Sequence, residues 1–175
     1  RFGLCAPVSS VKMAHDMGYD YIEPSVTGIA AMDEEEFGQA VELVNDSPIK
    51  CEVCNVMFRP DVRLTGTGYD EEAIISYLDR AFNRIVQLGT EVVVLGSGGA
   101  RRVPEDYDLE AGKKQFIHAA RVVGDVAARY NLIITLEPLN RRETNIITTV
   151  KEGIEFAREI DHPNVKLLAD FYHMR

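Results

Sequence analysis

The chain repeats one alternation along its length. A short apolar run with a two-residue beat is followed by a longer stretch whose apolar positions recur every three to four residues. In LIITLE, Leu132, Ile134 and Leu136 fall on one side of an extended strand, and Ile133, Thr135 and Glu137 on the other. One repeat later, in VKLLAD, Val165, Leu167 and Ala169 share one side while Lys166, Leu168 and Asp170 share the other. Runs of the same kind predict strands over residues 2–6, 19–24, 49–56 and 92–95. Parity in the third puts Ile49, Cys51 and Val53 on the helix side, with Lys50, Glu52 and Cys54 opposite. Between the strands, helices are expected over 8–17, ended by Gly18, and from Asp33, whose first turn holds Glu34, Glu35 and Glu36. Asp70 caps a third with the stripe Ile74, Tyr77, Leu78, Ala81, Ile85 and Leu88, and Gly89 stops it. Two more are expected over 109–130 and 145–160.

Unbroken β-α alternation with right-handed crossovers gives a parallel sheet. It closes either as an open doubly wound sheet or as a barrel. A sheet buried on both faces is uniformly aliphatic, as 92–95 is, whereas Glu23, Glu52, Thr135 and Lys166 place polar groups on the face away from the helices. That favours an α/β fold of the parallel (β/α)8 TIM-barrel type, with six strands and five helices inside residues 1–175. The chain starts without Met and stops just after a strand, so the expectation is a single domain whose C-terminal part lies outside this sequence.

Composition narrows the function. A hydrophobic fraction of 46% and a charged fraction of 27% are ordinary for a globular chain. The net charge of -9 tilts against a binder of nucleic-acid backbones. No run approaches the roughly 18 apolar residues of a membrane span, and no signal peptide is recognisable, so the expected location is the cytoplasm. Cys51 and Cys54 sit three apart in a predicted strand, on opposite faces, and read as structural thiols.

Glu137 and Asp170 end successive strands on the same kind of face, with His173 close behind, where parallel α/β folds put their chemistry. This spacing suits half of a divalent-metal site; it also suits ordinary strand-end carboxylates bonded to loop amides. In GSGGARRVP, Arg101 and Arg102 suit either a grip on a substrate phosphate or carboxylate, or a close-packed turn with the arginines paired to acidic neighbours. No helix is expected directly after the glycines, which favours the turn.

The stretches LEPLNRRETN from Leu136, GSGGARRVP from Gly96 and DFYHM from Asp170 resemble the xylose-isomerase-like TIM-barrel superfamily. That group of sugar and sugar-phosphate isomerases and epimerases is also labelled AP endonuclease family 2. The resemblance implies a carbohydrate-metabolising isomerase, similar to the ketohexose 3-epimerases, with a small sugar as partner and a homo-oligomer left open. In those epimerases two glutamates, an aspartate and a histidine hold the metal. Glu137 matches the first glutamate and Asp170 the aspartate, while Glu143 and His173 match a substrate-contacting glutamate and histidine. The other ligands are expected beyond Arg175. The implied chemistry is proton transfer next to a carbonyl, through an enediolate, with Glu137 as one acid/base group. Oxygen-rich ligation implies Mn²⁺ first, with Mg²⁺ or Co²⁺ as substitutes. Two other readings are a DNA-repair phosphodiesterase of the AP endonuclease type and a non-catalytic sugar-binding relative. The nuclease needs extra strand-end histidines, and here those ends read Cys54-Asn55 and Gly96-Ser97.

Overall fold

The computed structural model describes residues 1–174. Six strands follow one another: β1 (Gly3–Leu4), β2 (Tyr21–Ile22), β3 (Val53–Cys54), β4 (Val92–Leu95), β5 (Ile133–Leu136) and β6 (Val165–Leu167). Every pairing is parallel and between neighbours in sequence, in two ladders, β1-β2 and β3-β4-β5-β6. The ladder breaks at Pro24, which has no N–H to give. Contact continues across the break, where Asn55 N–H donates to the Pro24 carbonyl at 3.0 Å and Val26 N–H to the Asn55 carbonyl at 2.8 Å.

The helices are α1 (Val11–Asp16, after a 3-10 turn at Val8–Ser10), α2 (Val26–Ala31), α3 (Glu34–Asn45), α4 (Glu71–Gln87), α5 (Gly98–Arg101), α6 (Leu109–Arg129) and α7 (Val150–Ile160). α6 packs on β5 and β6, and α7 on β6. Under the helices lie Cys54, Val93, Leu95, Ile134, Leu136 and Val165, buried with Leu78, Phe82, Phe116 and Val123. The alternate positions, Tyr21, Val53, Val92, Val94 and Thr135, line a cavity on the other face. One face under helices and one facing a lumen is the arrangement of a barrel wall. No helix among the described residues is long and apolar enough to cross a membrane.

Several sequence expectations are corrected. The third strand is two residues long, and its faces are reversed: Val53 lines the lumen, while Cys54 is buried, its Sγ 3.3 Å from Thr90 Oγ1. Residues 49–52 lie outside the regular ladder, and a parity count through an irregular stretch inverts every later position. Cys51 is buried as well, and all three cysteines are free. The helix expected from residue 145 begins at Val150 behind the cap Thr149. α2 was not expected: Val26, Thr27 and Gly28 are poor helix formers, so tertiary contacts decide it. Arg84 of α4 supplies them, donating to the Ile29 carbonyl at 3.2 Å and the Met32 carbonyl at 2.6 Å at the end of α2.

The acidic start of α3 is a full capping box. Asp33 accepts from Glu36 N–H at 2.9 Å, and Glu36 accepts from Asp33 N–H at 3.0 Å. Asp33→Ala removes one half and is expected to cost about 1 kcal/mol. Urea unfolding measures it; an unchanged midpoint would mean that the first turn of α3 is held by its packing alone.

Candidate active site

The lumen opens at the carboxyl ends of the strands into a cavity of about 750 Å³, lined by Glu23, Glu137, Glu143, Asp170 and His173 among others. Glu137 extends β5, with its N–H donating to the Leu95 carbonyl at 3.3 Å. Asp170 follows β6, which is held to β5 by Leu168 N–H on the Leu136 carbonyl at 2.9 Å. Both carboxylates line the cavity from neighbouring strands, Glu137 continuing β5 and Asp170 three residues past the end of β6. Gly96 follows β4 and lies beside Glu137, so a Cβ there would meet the Glu137 carboxylate and push it aside.

Asp170 also builds the turn that brings His173 back over the mouth. Its Oδ1 accepts from Tyr172 N–H at 2.8 Å, and its carbonyl accepts from His173 N–H at 3.1 Å. One donor atom each from Glu137, Asp170 and His173 then lie within 4.8 Å of one another. Glu143 stands on the far side of the ring, with Oε1 3.8 Å from His173 Nδ1, while Nε2 lies 3.9 Å from Glu137 Oε1.

Asn140 sets the chemistry of that ring. Its backbone N–H, which can only donate, reaches His173 Nδ1 at 3.3 Å, so Nδ1 is the acceptor and the neutral ring carries its proton on Nε2. His173 thus aims an N–H into the mouth, suited to a substrate oxygen, and leaves the two carboxylates as the groups with free lone pairs. Asn140 Nδ2 also donates to Glu143 Oε1 at 2.7 Å. Sequence reading missed Asn140; its signal was an Asn that tolerates turn geometry, here with Oδ1 accepting from Arg142 N–H at 3.1 Å.

The mouth is strongly acidic. Burial pushes the Glu137 carboxyl up to about 7, and the charges of Asp170, Glu23 and Glu143 add to the rise while Arg101 opposes it. Burial also raises Glu23, against hydrogen bonds from Asn55 and Cys5. Crowded like charges of this kind are what a divalent cation relieves, so the donor set fits a hard metal ion. Backbone strain marks the rim: Val56 and Ser97, past the ends of β3 and β4, hold φ of 45° and 30°.

The glycine-rich loop differs from both sequence readings. A four-residue helix, α5, begins at Gly98 within the glycine run, and Arg101 is fully buried, its hydrogen bonds made to main-chain carbonyls and none to a carboxylate. The ends of β3 and β4 carry Asn55 and Ser97 with no histidine. His118 meets Glu71 and His162 meets Asp125 outside the cavity.

Comparison with known proteins gives one consistent result. Residues 11–175 match the family described as xylose isomerase-like TIM barrel. A D-psicose 3-epimerase of Ruminiclostridium cellulolyticum is 37% identical over 119 residues, covering 66% of this chain and 37% of that protein. An L-ribulose 3-epimerase of Methylomonas sp. is 43% identical over 58 residues, covering 33% of this chain and 20% of its own length. A crystal structure of a D-psicose 3-epimerase in the presence of D-fructose superposes with a TM-score of 0.80 at 16% identity, covering 99% of this chain and 61% of that one. The chain thus spans less than half the length of these two curated relatives and 61% of the superposed structure.

Proposed function

We propose, since this chain belongs to the xylose isomerase-like TIM barrel family, that it serves a metal-dependent sugar epimerase or isomerase of the ketose 3-epimerase kind. The observation that carries this reading is the convergence of Glu137, Asp170 and His173 within 4.8 Å at the ends of β5 and β6. Glu137 and Asp170 would hold the ion, Mn²⁺ by preference, with Mg²⁺ or Co²⁺ able to replace it. The ion when bound supplies Lewis acidity at the sugar carbonyl, which makes the neighbouring C–H acidic.

The chain's own residues do the rest. Glu137 takes or returns the carbon-bound proton, giving an enediolate on the way between epimers. His173 Nε2–H and Glu143 bind and orient the hydroxyls beside the reacting carbon. Relatives named as epimerases support this reading, including a ketose 3-epimerase of Arthrobacter globiformis. The phosphodiesterase reading is not favoured: the lining of the mouth carries four carboxylates and would repel a phosphate backbone.

The test is a Mn²⁺ titration followed by epimerisation assays on a panel of free and phosphorylated ketoses. Failure of every ketose to turn over with Mn²⁺ bound would favour the sugar-binding relative. The metal's affinity is expected to depend on pH. Binding needs Glu137 ionised, so affinity should rise as pH climbs through about 7 and level off above it. Calorimetry in buffers of different ionisation heat reads the proton released near neutrality; no proton release there would mean that Glu137 is not a ligand.

A further inference from the structure

Arg101 has the largest fully buried side chain among the described residues, at 0% exposure. Its guanidinium reaches three separate pieces of backbone. Nη1 donates to the Leu95 carbonyl at 3.3 Å, at the end of β4. Nη2 donates to the Glu137 carbonyl at 2.7 Å, just past β5, and to the Ile147 carbonyl at 3.4 Å in the loop before α7. Nε has no protein partner.

The short helix that delivers this side chain is itself fastened from several sides. Leu64 N–H donates to the Ala100 carbonyl at 2.9 Å, and Thr65 Oγ1 to the Arg102 carbonyl at 2.9 Å. Asn145, from the loop after β5, exchanges two hydrogen bonds with Val103, each of 2.9 Å. Placing a guanidinium in such a site carries a desolvation penalty, and a methionine would fill the volume without it. Packing alone does not account for an arginine here. What an arginine adds is a rigid fork that spans several carbonyls at once, and a positive charge behind an acidic mouth.

We propose that Arg101 is a positioning residue for the carboxylate cluster. It ties the ends of β4 and β5 and the loop carrying Glu143 into one frame, so that Glu137 meets Asp170 and His173 at a set distance before any ligand arrives. The inference rests on the reading above that Glu137 and Asp170 hold a divalent cation. Holding the Glu137 carbonyl at 2.7 Å restrains the backbone from which that carboxylate projects, and the absence of a side chain at Gly96 leaves the room that it occupies. The charge works in the same direction, since Glu137 and Glu143 are both among the groups that act on the guanidinium.

The test compares the full chain with its Arg101→Met and Arg101→Lys variants. Mn²⁺ affinity, kcat and KM are measured on protein shown to be folded by circular dichroism. Arg101→Met is expected to weaken Mn²⁺ binding by about 10- to 100-fold, the usual cost of losing an outer partner of a metal ligand. Its kcat should fall while the KM for sugar moves less. Arg101→Lys should recover part of both, because it restores the charge without the fork. Should Arg101→Met fail to fold, Thr65→Val loosens α5 while keeping the guanidinium and should give a smaller loss of Mn²⁺ affinity in the same direction. A folded variant with a lower melting temperature but wild-type Mn²⁺ affinity and kcat would overturn the inference and leave Arg101 as structural filler. Wild-type protein that binds no Mn²⁺ at all would instead remove the functional reading on which the inference stands.

Discussion

Glu137→Gln is expected to end turnover while making the metal-free protein no less stable. Glutamine keeps the volume and loses both the ligand charge and the proton acceptor. Loss of an acid/base group alone costs about 10²–10⁴ in rate, and the loss of a ligand charge adds to it, so epimerisation should fall to background. Stability moves the other way. The folded carboxyl is raised to about 7, above the ordinary carboxylate value of 4.5. Its favourable contribution is therefore complete below pH 4.5 and lost as pH rises through 7. The wild type without metal should weaken over that window, and the variant should not. Thermal unfolding with chelator at pH 5 and pH 8 reads the difference. A variant destabilised more at pH 8 than at pH 5 would mean that the Glu137 charge is compensated in the fold and the acidic mouth is misjudged.

The second large effect separates the metal from the sugar. His173→Ala and Glu143→Gln are each expected to lower kcat/KM by about 10²-fold, the scale of a lost orienting or proton-handling group. Both should leave Mn²⁺ content near that of the wild type. The reason is the hydrogen bond from Asn140 N–H to His173 Nδ1 at 3.3 Å, which leaves an N–H, and no lone pair, facing the carboxylates. Metal analysis of each purified variant decides the matter. Loss of the ion in His173→Ala would mean that the ring turns over on binding and belongs to the metal, as its place within 4.8 Å of Glu137 and Asp170 geometrically allows.

What was legible in the chain was what neighbours in sequence decide. The two-residue beat of LIITLE and VKLLAD is a property of adjacent side chains, so it correctly turned Glu137 and Asp170 to one face. The stripe of α4 and the caps Asp33 and Asp70 are equally local, and they stand where the pattern put them. The same local counting failed at Val53 and Cys54, where the backbone leaves the regular ladder and parity has nothing to run on. It failed at α2 as well, since Arg84 reaches that helix from more than fifty positions away.

The sequence by itself determined the order of elements, their parallel alternation and the inward direction of the strand-end carboxylates. Periodicity and capping act within a few residues, so they survive without knowledge of the fold. Only the tertiary structure decided how near those carboxylates come, which nitrogen of His173 faces them, and that Glu137 is held near neutral pKa. It alone placed Arg101 beneath the mouth instead of at its rim. Each of these depends on partners brought together from distant stretches: Asn140 with His173, Arg101 with Glu137, Glu23 with Asp170. Burial and charge at the mouth are sums over such partners, and no single stretch of the chain contains them.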